Sequence, residues 1–582
     1  MSILNLVLYF AMTNKEIAQI LEEIAEMMEL KGENPFKIRA YYNGARIVEG
    51  LSQDIAQIAK EEKLRDIKGI GEGLAATITE LVKKNKSQFH SKLKKSLPKG
   101  ILEILHVPGL GPKRAKLLYD KLGIKSIAEL EKACGNGRIS KLDKFGEKSA
   151  ANILEAIKNL SKTDGSFLFS EAYEAAEGYV QYLKKAKGII RIETAGSLRR
   201  RNEIVHDADI LISTENGKKI HNHFCSYPKV TRVLAQGDTK SSVVLDSGLQ
   251  VDLRTVSDKE FPYALYYFTG SKEHNVATRT IAKRMGLKIS EYGIFKGKKL
   301  IPCKNEEDIF KTMKLSYVPP EIRENGGEIE RARKNEIPQL VEDKDIKGVF
   351  HVHSTYSDGT ASLEAMISQA QNLGYEYVGI SDHSQTAVYA NGLSLERLKK
   401  QQKELDQLEK KYKIRIFRGT ESDILQDGAL DYPEKIMDSF DFVIGSIHSR
   451  FKMPEDEMTK RIQRAMQNPY MTFWGHPTGR LLLERAGYAV NFEALFAAAK
   501  KHGVIIEINA HPSRLDLDWR LCRAAKEKGI RFSINPDAHS TKGLSDVKFG
   551  VGVARKGWLT KKDILNTMSV SEMEKFLKSR KP

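Results

Sequence analysis

From Lys347 onward, short apolar runs alternate with longer amphipathic stretches. Val349-Phe350-His351, Tyr377–Ile380, Ile414–Phe417, Phe442–Ile444, Val504–Ile508 and Arg531–Ile534 read as strands, and Leu395–Tyr412 and Phe492–His502 as helices between them. Such alternation leaves few architectures, because successive strands joined by helices must run parallel in a sheet or barrel. Two other textures precede it. From Asn14 to about Leu160, helices with apolar residues at helical spacing, such as Ile17, Ile20, Leu21, Ile24 and Met28, are joined by Gly-containing turns. From about Gly188 the pattern becomes strands. A chain of 582 residues exceeds what one core supports, so three to five domains are expected. The stretch from Pro319 to Asp345 carries Pro320, Gly326-Gly327 and Pro338 among charged residues and reads as an inter-domain linker.

The formal charge is +18, and the parts before and after Asp345 are both basic. Two readings fit that excess: a polyanionic partner such as nucleic acid, or solvated lysine-rich faces. Hydrophobic residues at 41% and charged residues at 29% exclude a disordered or collagen-like chain. No apolar run reaches the ~20 residues of a membrane span. Ile3–Ala11 is apolar but short, with no preceding Lys or Arg, which argues against a signal peptide and for Met12 as the working start. Cys134, Cys225, Cys303 and Cys522 form no C-x-x-C pair, so neither a disulfide framework nor a thiolate zinc site is expected, and a reducing cytoplasm is.

Three turns punctuate the helical part: Ile67-Lys68-Gly69-Ile70-Gly71, Val107-Pro108-Gly109-Leu110-Gly111-Pro112-Lys113 and Lys144-Phe145-Gly146-Glu147-Lys148. A Gly-x-Gly turn opening a helix aims backbone N–H groups at one point, which suits a phosphate; a plain helical corner is the alternative. Two close copies and a degenerate third favour DNA-backbone binding, and they resemble helix–hairpin–helix motifs that grip duplex without regard to sequence. Gly69, Gly71, Gly109, Gly111 and Lys113 are the candidate contacts. Lys92, Lys94, Lys95 and Lys99 form a further basic strip.

Gly196-Ser197-Leu198-Arg199-Arg200, then Glu203, leads into His206-Asp207-Ala208-Asp209-Ile210-Leu211-Ile212. Residues i and i+2 of a strand share a face, so Asp207 and Asp209 point together while Ala208, Ile210 and Ile212 enter the core. On Leu249-Gln250-Val251-Asp252-Leu253-Arg254, Asp252 and Arg254 likewise share one face. Three carboxylates on adjacent strands call for cations; hard oxygen ligands suit two Mg²⁺, which can clamp an in-line phosphoryl transfer. The Gly-Ser turn and Arg200 offer phosphate donors.

These residues, with Tyr266-Tyr267-Phe268-Thr269-Gly270-Ser271, Asn275, Arg279 and the N-terminal Asn34-Pro35-Phe36-Lys37-Ile38-Arg39-Ala40-Tyr41, resemble family X DNA polymerases from about Thr13 to Tyr317. The resemblance implies gap filling in which Asp207, Asp209 and Asp252 hold the metals. It places Gly196, Ser197 and Arg200 at the triphosphate, Tyr267, Phe268 and Gly270 along the incoming sugar, and Asn275 and Arg279 on the minor-groove side of the new pair. Lys37 matches a contact to the downstream 5′-phosphate. One departure stands out: the lysine that forms a Schiff base in members with 5′-deoxyribose-phosphate lyase activity is Thr77 here.

The C-terminal part holds His351-Val352-His353, Asp358, Asp382-His383, Glu421, His448, His476, Glu507 and Asp537-Ala538-His539, mostly where strand-like runs end. Six histidines at strand ends with carboxylates between them point to a polynuclear metal site, where barrel enzymes place their chemistry. The absence of thiolates suits a catalytic more than a structural centre. This part resembles the PHP (polymerase and histidinol phosphatase) domain across about Lys347 to Lys578. The resemblance implies one metal on His351, His353, Glu421 and Asp537, a second bridged by Glu421 to His448 and His476, and a third on Asp358, His383 and His539.

The expected architecture is thus multidomain α+β and α/β: an N-terminal helical domain (12–90), a helix–hairpin–helix domain (91–163), a nucleotidyltransferase palm (164–260), a thumb (261–318), a linker (319–345) and a distorted (β/α)7-type PHP barrel (346–582). The expected enzyme is a bacterial- or archaeal-type family X polymerase with 3′→5′ exonuclease and, as in some members, abasic-site endonuclease or 3′-phosphoesterase activity. Expected cofactors are two Mg²⁺ in the palm and up to three Mn²⁺ or Zn²⁺ in the barrel; expected partners are gapped or nicked DNA and dNTP, with no membrane, acting as a monomer. The competing reading is a DNA-gripping scaffold with an inactive polymerase core and a PHP phosphatase for small phosphate esters.

Overall fold

The computed structural model of the chain describes residue 12 and residues 14–50, 55–67, 69–84, 86–98, 100–105, 107, 110–140, 142, 145–147, 149–150, 153–154, 157 and 165–582. The expectation about Ile3–Ala11 lies outside them. The chain divides into two units, Met1–Gly165 and Ser166–Pro582.

The first unit is helical, running from Asn14–Lys31 through Pro35–Gly50, Ile55–Lys60, Glu72–Lys84, Gln88–Lys95, Ile101–Leu105 and Pro112–Leu122 to Ile127–Gly135. Its apolar faces bury in two clusters. Ile17, Leu21, Ile24 and Met28 meet Tyr41, Val48, Ile78 and Leu81 in one; Ile104, Leu118, Leu130 and Ile139 form the other. Gly69 has φ +100°, and a Cβ there would lie 2.5 Å from Ile47 Cδ1, so the turn requires glycine. Gly111 caps Pro112–Leu122 with proline in the first turn, as helix entry favours.

The second unit begins with a short antiparallel pair, β1 (Phe167–Leu168) with β3 (Ile204–Val205). A five-stranded sheet follows from β2 (Ile189–Thr194), β4 (Asp207–Thr214), β5 (Val230–Gln236), β6 (Lys240–Leu245) and β7 (Gln250–Val256), in the order β2-β4-β7-β6-β5. Only β4 and β7 pair in parallel. The next lobe combines helices Phe261–Thr269, Lys272–Arg284 and Glu306–Thr312 with an antiparallel sheet of β8 (Leu287–Ser290), β9 (Gly293–Lys296) and β10 (Lys299–Ile301).

Seven parallel strands complete the unit: β11 (Gly348–Val352), β12 (Tyr377–Ile380), β13 (Arg415–Asp423), β14 (Phe442–Ser446), β15 (Met471–Trp474), β16 (Ile505–Asn509) and β17 (Phe532–Asn535), neighbours in chain order. A bridge from Val352 to Ala538 links the end of β11 to the chain after β17, so the barrel nearly closes. Phe350, Tyr377, Phe417, Phe442 and Phe473 cluster in its interior. Gly379 and Gly419 make room for them: a Cβ at either would come within 2.3 Å of a phenylalanine ring. The short β15 was not expected from the sequence.

The linker expectation needs correction. Residues 319–345 are folded against the unit, with Ile322, Arg323, Glu328, Ile329, Ala332 and Val341 buried. The buried charges among them find partners. Arg323 donates to Glu306 at 2.6 Å, and Glu306 also takes a two-pronged bond from Arg199 at 3.0 and 2.6 Å. His274 Nδ1 lies 2.7 Å from Glu328, and Arg555 donates to Glu321 at 2.7 Å. The sheet lobe and the barrel share one apolar core that includes Phe169, Ile210 and Val251 with Val352, Ile367 and Ile534.

Burial opposes ionisation of Glu306, but Arg323 and Arg199 more than offset it and hold the carboxyl at about 2. Because this pKa is depressed, the stability it contributes is present above about pH 4.5 and lost as pH falls toward 2. Arg323→Met removes one of the two cations from a buried carboxylate and should cost about 3–5 kcal/mol. Urea unfolding at pH 7 should therefore shift to clearly lower denaturant, and the difference from wild type should narrow toward pH 3. An unshifted midpoint at pH 7 contradicts the assignment.

Candidate functional site

The barrel gathers nine polar side chains at the ends of six strands. His351 lies in β11 and His353 follows it, with Asp358 in the next loop. His383 follows β12, Glu421 lies in β13, His448 follows β14, His476 follows β15, and Asp537 and His539 follow β17. Glu421 is buried at their centre. Its Oε1 lies 2.8 Å from His476 Nε2 and 3.3 Å from both His351 Nε2 and His448 Nε2. Its Oε2 lies 3.1 Å from His383 Nδ1 and 3.6 Å from His353 Nε2. Asp537 Oδ1 lies 3.4 Å from both His351 Nε2 and His353 Nε2. Asp358 faces His539 Nε2 at 3.3 Å and His383 Nε2 at 3.7 Å.

This arrangement fits divalent cations. His351 Nε2, both ring nitrogens of His353 and His383 Nδ1 are buried without a hydrogen-bond partner, a concentration that bound cations would relieve. Four sets of ligand atoms each converge within 4.8 Å: His353, Asp358, His383 and His539; His351, His353 and Asp537; His351, Glu421 and His476; His383, Glu421 and His448. His353 and His383 thus each face more than one set. His351, His476 and Asp537 have φ of +61°, +25° and +50°, a region such side chains rarely enter and one that marks functional strain.

The groups polarise one another. Burial would lower the pKa of His351, but Glu507, Asp537 and Glu421 raise it well above the usual value. Burial and the neighbouring His539 press His353 down to about 3. The surrounding imidazoles hold Glu421 well below the carboxylate range against its burial.

Several residues support this centre without facing it as candidate ligands. Glu507 accepts from His351 Nδ1 and from the backbone N–H of His476, both at 2.6 Å, and from Asn535 and Asn509 at 2.9 and 3.1 Å. Asp423 lies 2.6 Å from His448 Nδ1. Sequence reasoning missed Asp423, although its position two residues after Glu421 on one strand was an available signal. Asp382 turns away and clamps the Asp358 loop, accepting from the N–H and hydroxyl of Ser354 (2.8 and 2.7 Å) and of Ser357 (3.1 and 2.6 Å). Its burial pushes the carboxyl up to about 6 despite those bonds.

A second polar cluster lies on the mixed sheet. Parallel register sets Asp209 beside Asp252 and Asp207 beside Gln250. Burial, then Asp207 and Asp252, raises the Asp209 carboxyl to about 7. Burial and Asp252 raise Asp207 as well. Burial works in the same direction on Asp252, but Lys240 at 2.8 Å and Gln250 at 2.9 Å pull it below the usual value. Gly196, with φ +61°, closes the cluster: a Cβ there would lie 2.2 Å from Asp209 Oδ2. Ser197 follows in the short helix Gly196–Arg199.

Arg200 donates to the Thr269 carbonyl at 2.6 Å and to Glu324 at 3.1 Å, and Glu324 is shared with the buried Lys556 from the barrel. A Cβ on Gly270 would lie 3.0 Å from the Arg200 guanidinium. Asn275 donates to the Tyr267 carbonyl at 2.7 Å, and Arg279 to the Asn275 carbonyl at 3.3 Å. Arg200, Gly270, Tyr267, Asn275 and Arg279 therefore lie along one stretch, and Phe268 sits between the Tyr267 ring, 5.3 Å away, and the Arg254 guanidinium at 4.4 Å. Glu203 leaves the carboxylates altogether. It accepts from Trp519 and Arg520 of the barrel, both at 2.9 Å.

In the first unit, Gly69 and Gly71 precede helix Glu72–Lys84, and Gly111 and Lys113 open helix Pro112–Leu122; Gly109 lies outside the described residues. The Lys37 ammonium lies 5.0 Å from the Phe89 ring centre, beside the exposed Phe36. Thr77 is buried and hydrogen-bonded to Tyr41 at 3.0 Å.

Comparison with known proteins fits this division. Family models described as a helix-hairpin-helix domain, a SAM-like helix-hairpin-helix tandem, a DNA polymerase beta thumb and a PHP domain match residues 12–87, 101–159, 264–324 and 350–511. The chain is 40% identical over 572 residues to the DNA polymerase/3′-5′ exonuclease PolX of Bacillus subtilis, covering 97% of this chain and all of that protein. It is 30% identical over 141 residues to the repair DNA polymerase X of African swine fever virus, covering 23% of this chain and 80% of the viral one. It is 28% identical over 200 residues to a "probable phosphatase" of Caldicellulosiruptor saccharolyticus, covering 32% and 78% respectively.

Glu507→Gln keeps the shape of the residue but removes the charge that orients His351. Such a change behind a ligand should weaken Mn²⁺ binding to the full chain about 10–100-fold. Isothermal titration with Mn²⁺ measures it, and an unchanged affinity contradicts the role given to Glu507.

Proposed function

The chain belongs to the family X DNA polymerases that carry a PHP domain, and on that premise we propose that it fills short gaps during DNA repair at one site and trims DNA 3′ ends at another. The observation that carries the reading is the presence of two separate polar constellations in one unit: a carboxylate triad on a mixed sheet, and an imidazole–carboxylate centre at a barrel mouth. The adjacency of Asp209 and Asp252 beside Asp207 argues against the scaffold with an inactive core.

In this reading Asp207, Asp209 and Asp252 hold two Mg²⁺, and the nine barrel residues hold up to three Mn²⁺ or Zn²⁺. When bound, such ions neutralise developing charge and lower the pKa of water. The protein's own part is positional. Gly196 and Ser197 offer the triphosphate a helix entry, and Arg200 adds a cation once it leaves Glu324, which keeps Lys556 as partner. Tyr267, Phe268 and Gly270 border the incoming sugar, and Asn275 and Arg279 the new base pair. Lys37, Gly69, Gly71, Gly109, Gly111 and Lys113 contact gapped or nicked DNA. The working divisions are 12–90 and 91–163 for DNA grip, 164–260 for the palm, 261–318 for the thumb and 346–582 for hydrolysis; residues 319–345 form a folded connector. The enzyme acts as a cytoplasmic monomer, and the barrel extends to abasic-site cleavage or 3′-phosphate removal. No helix among the described residues is long and apolar enough to cross a membrane.

Two variants separate the sites. Asp252→Ala should reduce Mg²⁺-dependent addition to one-nucleotide-gapped DNA by at least a thousandfold and leave 3′→5′ hydrolysis within about twofold. Glu421→Ala should do the reverse. Loss of both activities in either folded variant means that the two share one site.

Thr77 cannot form a Schiff base, and its hydroxyl is held by Tyr41. Borohydride treatment with 5′-deoxyribose-phosphate DNA should trap no covalent adduct. An adduct mapped to the helix Glu72–Lys84 would show that another side chain there supplies the amine.

A further inference from the structure

The barrel centre is recessed. Of its nine side chains, Asp358 and His539 are the most exposed, each at 35%, while His351, His353 and Glu421 are buried. Ligands this buried are met more readily by a terminal nucleotide that has left its stack, which costs stacking energy. Something at the mouth has to receive the unstacked base.

One feature at the rim suits that task. Residues Val388–Ala390 form a single helical turn after β12, and its first two side chains stand open to solvent: Val388 is 82% exposed and Tyr389 65%. Among the described residues no other neighbouring pair of large apolar side chains is as exposed. The Tyr389 ring centre lies 6.0 Å from that of His383 and 5.8 Å from that of His448, two candidate ligands. It therefore stands within one nucleotide's span of the centre.

The turn is held in place. Ala387 N–H donates to the Ser384 carbonyl at 3.1 Å, Leu393 N–H to the His383 carbonyl at 2.9 Å, and Thr386 N–H to Asp431 at 2.7 Å. Asn391 takes φ +54° to reverse the chain, and a Cβ on Gly392 would lie 1.9 Å from the Ser384 carbonyl. The ring is thus carried on a fixed support anchored to the strand end that delivers His383. Arg514, 3.5 Å from Asp537, adds a cation on another side of the centre.

Building on the proposed 3′-end trimming, we propose that Tyr389 is a stacking platform for the nucleobase of the 3′-terminal nucleotide. Every base presents a π-face, so such a platform receives all four with little preference and restores part of the stacking lost on fraying. Its ligand class is a nucleobase attached to the phosphodiester being hydrolysed, and Tyr389 is a positioning residue.

The test uses the full chain loaded with Mn²⁺ and single-stranded oligonucleotides ending either in an ordinary 3′ nucleotide or in a 3′-terminal tetrahydrofuran residue, which has no base. The wild type should prefer the base-bearing end in kcat/KM. Tyr389→Ala should raise KM for that end about 5–100-fold, with a smaller change in kcat, and abolish the preference. Tyr389→Phe, which keeps the ring, should retain it. The proposal is overturned if Tyr389→Ala keeps the preference, or if it slows both ends alike, which marks a structural role. If the loaded wild type hydrolyses neither end, the trimming function itself fails and the platform with it; hydrolysis without base preference sinks the platform alone.

Discussion

A buried carboxylate cannot stay charged without compensation, and Glu421 sits at the point where the barrel supplies it. Five imidazoles reach it from the ends of β11, β12, β14 and β15. They come from four separate strands, so the cluster exists only when the parallel strands are in register and the barrel is nearly closed. The aromatic interior, with the glycines that admit it, packs the same strands beside the ligands. Backbone strain at His351, His476 and Asp537 is what this convergence costs, and the surrounding packing sustains it. The mixed sheet solves a related problem with fewer cations: Lys240 answers Asp252, and Asp209 is left with a raised pKa.

The sheet cluster was legible in the sequence because strand periodicity is strict. Asp207 and Asp209 share a face with apolar residues between them, and the apolar run around Asp252 identified its partner strand. Strand ends marked a wider set of candidates in the barrel, Asp382 and Glu507 among them, and the resemblance to the PHP domain narrowed it to nine. Their supporting cast could not be sorted. Asp382, Glu507 and Asp423 are carboxylates at similar positions in the pattern, yet one clamps a loop and two orient histidines. That distinction depends on which way each side chain turns, and a linear pattern does not carry it. The strand β15 escaped notice although β12, equally short, was read.

The connector shows how composition misleads. Proline, paired glycines and dense charge usually mark a solvated linker, because isolated charges are expensive to bury. Between residues 319 and 345 the buried charges are instead paired with groups distant in sequence: Arg323 with Glu306, Glu328 with His274, and Glu321 with Arg555. Only the tertiary structure brings these partners together. In the first unit the reading of Thr77 rests on a missing amine, which is a statement about chemistry and not about placement.

The walls between the sheet lobe and the barrel bear on how such a chain can be inherited. Glu203 is bonded to Trp519 and Arg520, Lys556 reaches Glu324 and the backbone of Arg200, and a single apolar core runs through both halves. A recombination event that swapped the barrel for a foreign one at residue 345 would strand a buried glutamate on one side and a buried lysine on the other. Trp519 and the apolar faces around Phe549 would meet an unmatched surface. The polymerase half and the hydrolytic half of this chain are therefore matched surfaces, each shaping what the other can carry there.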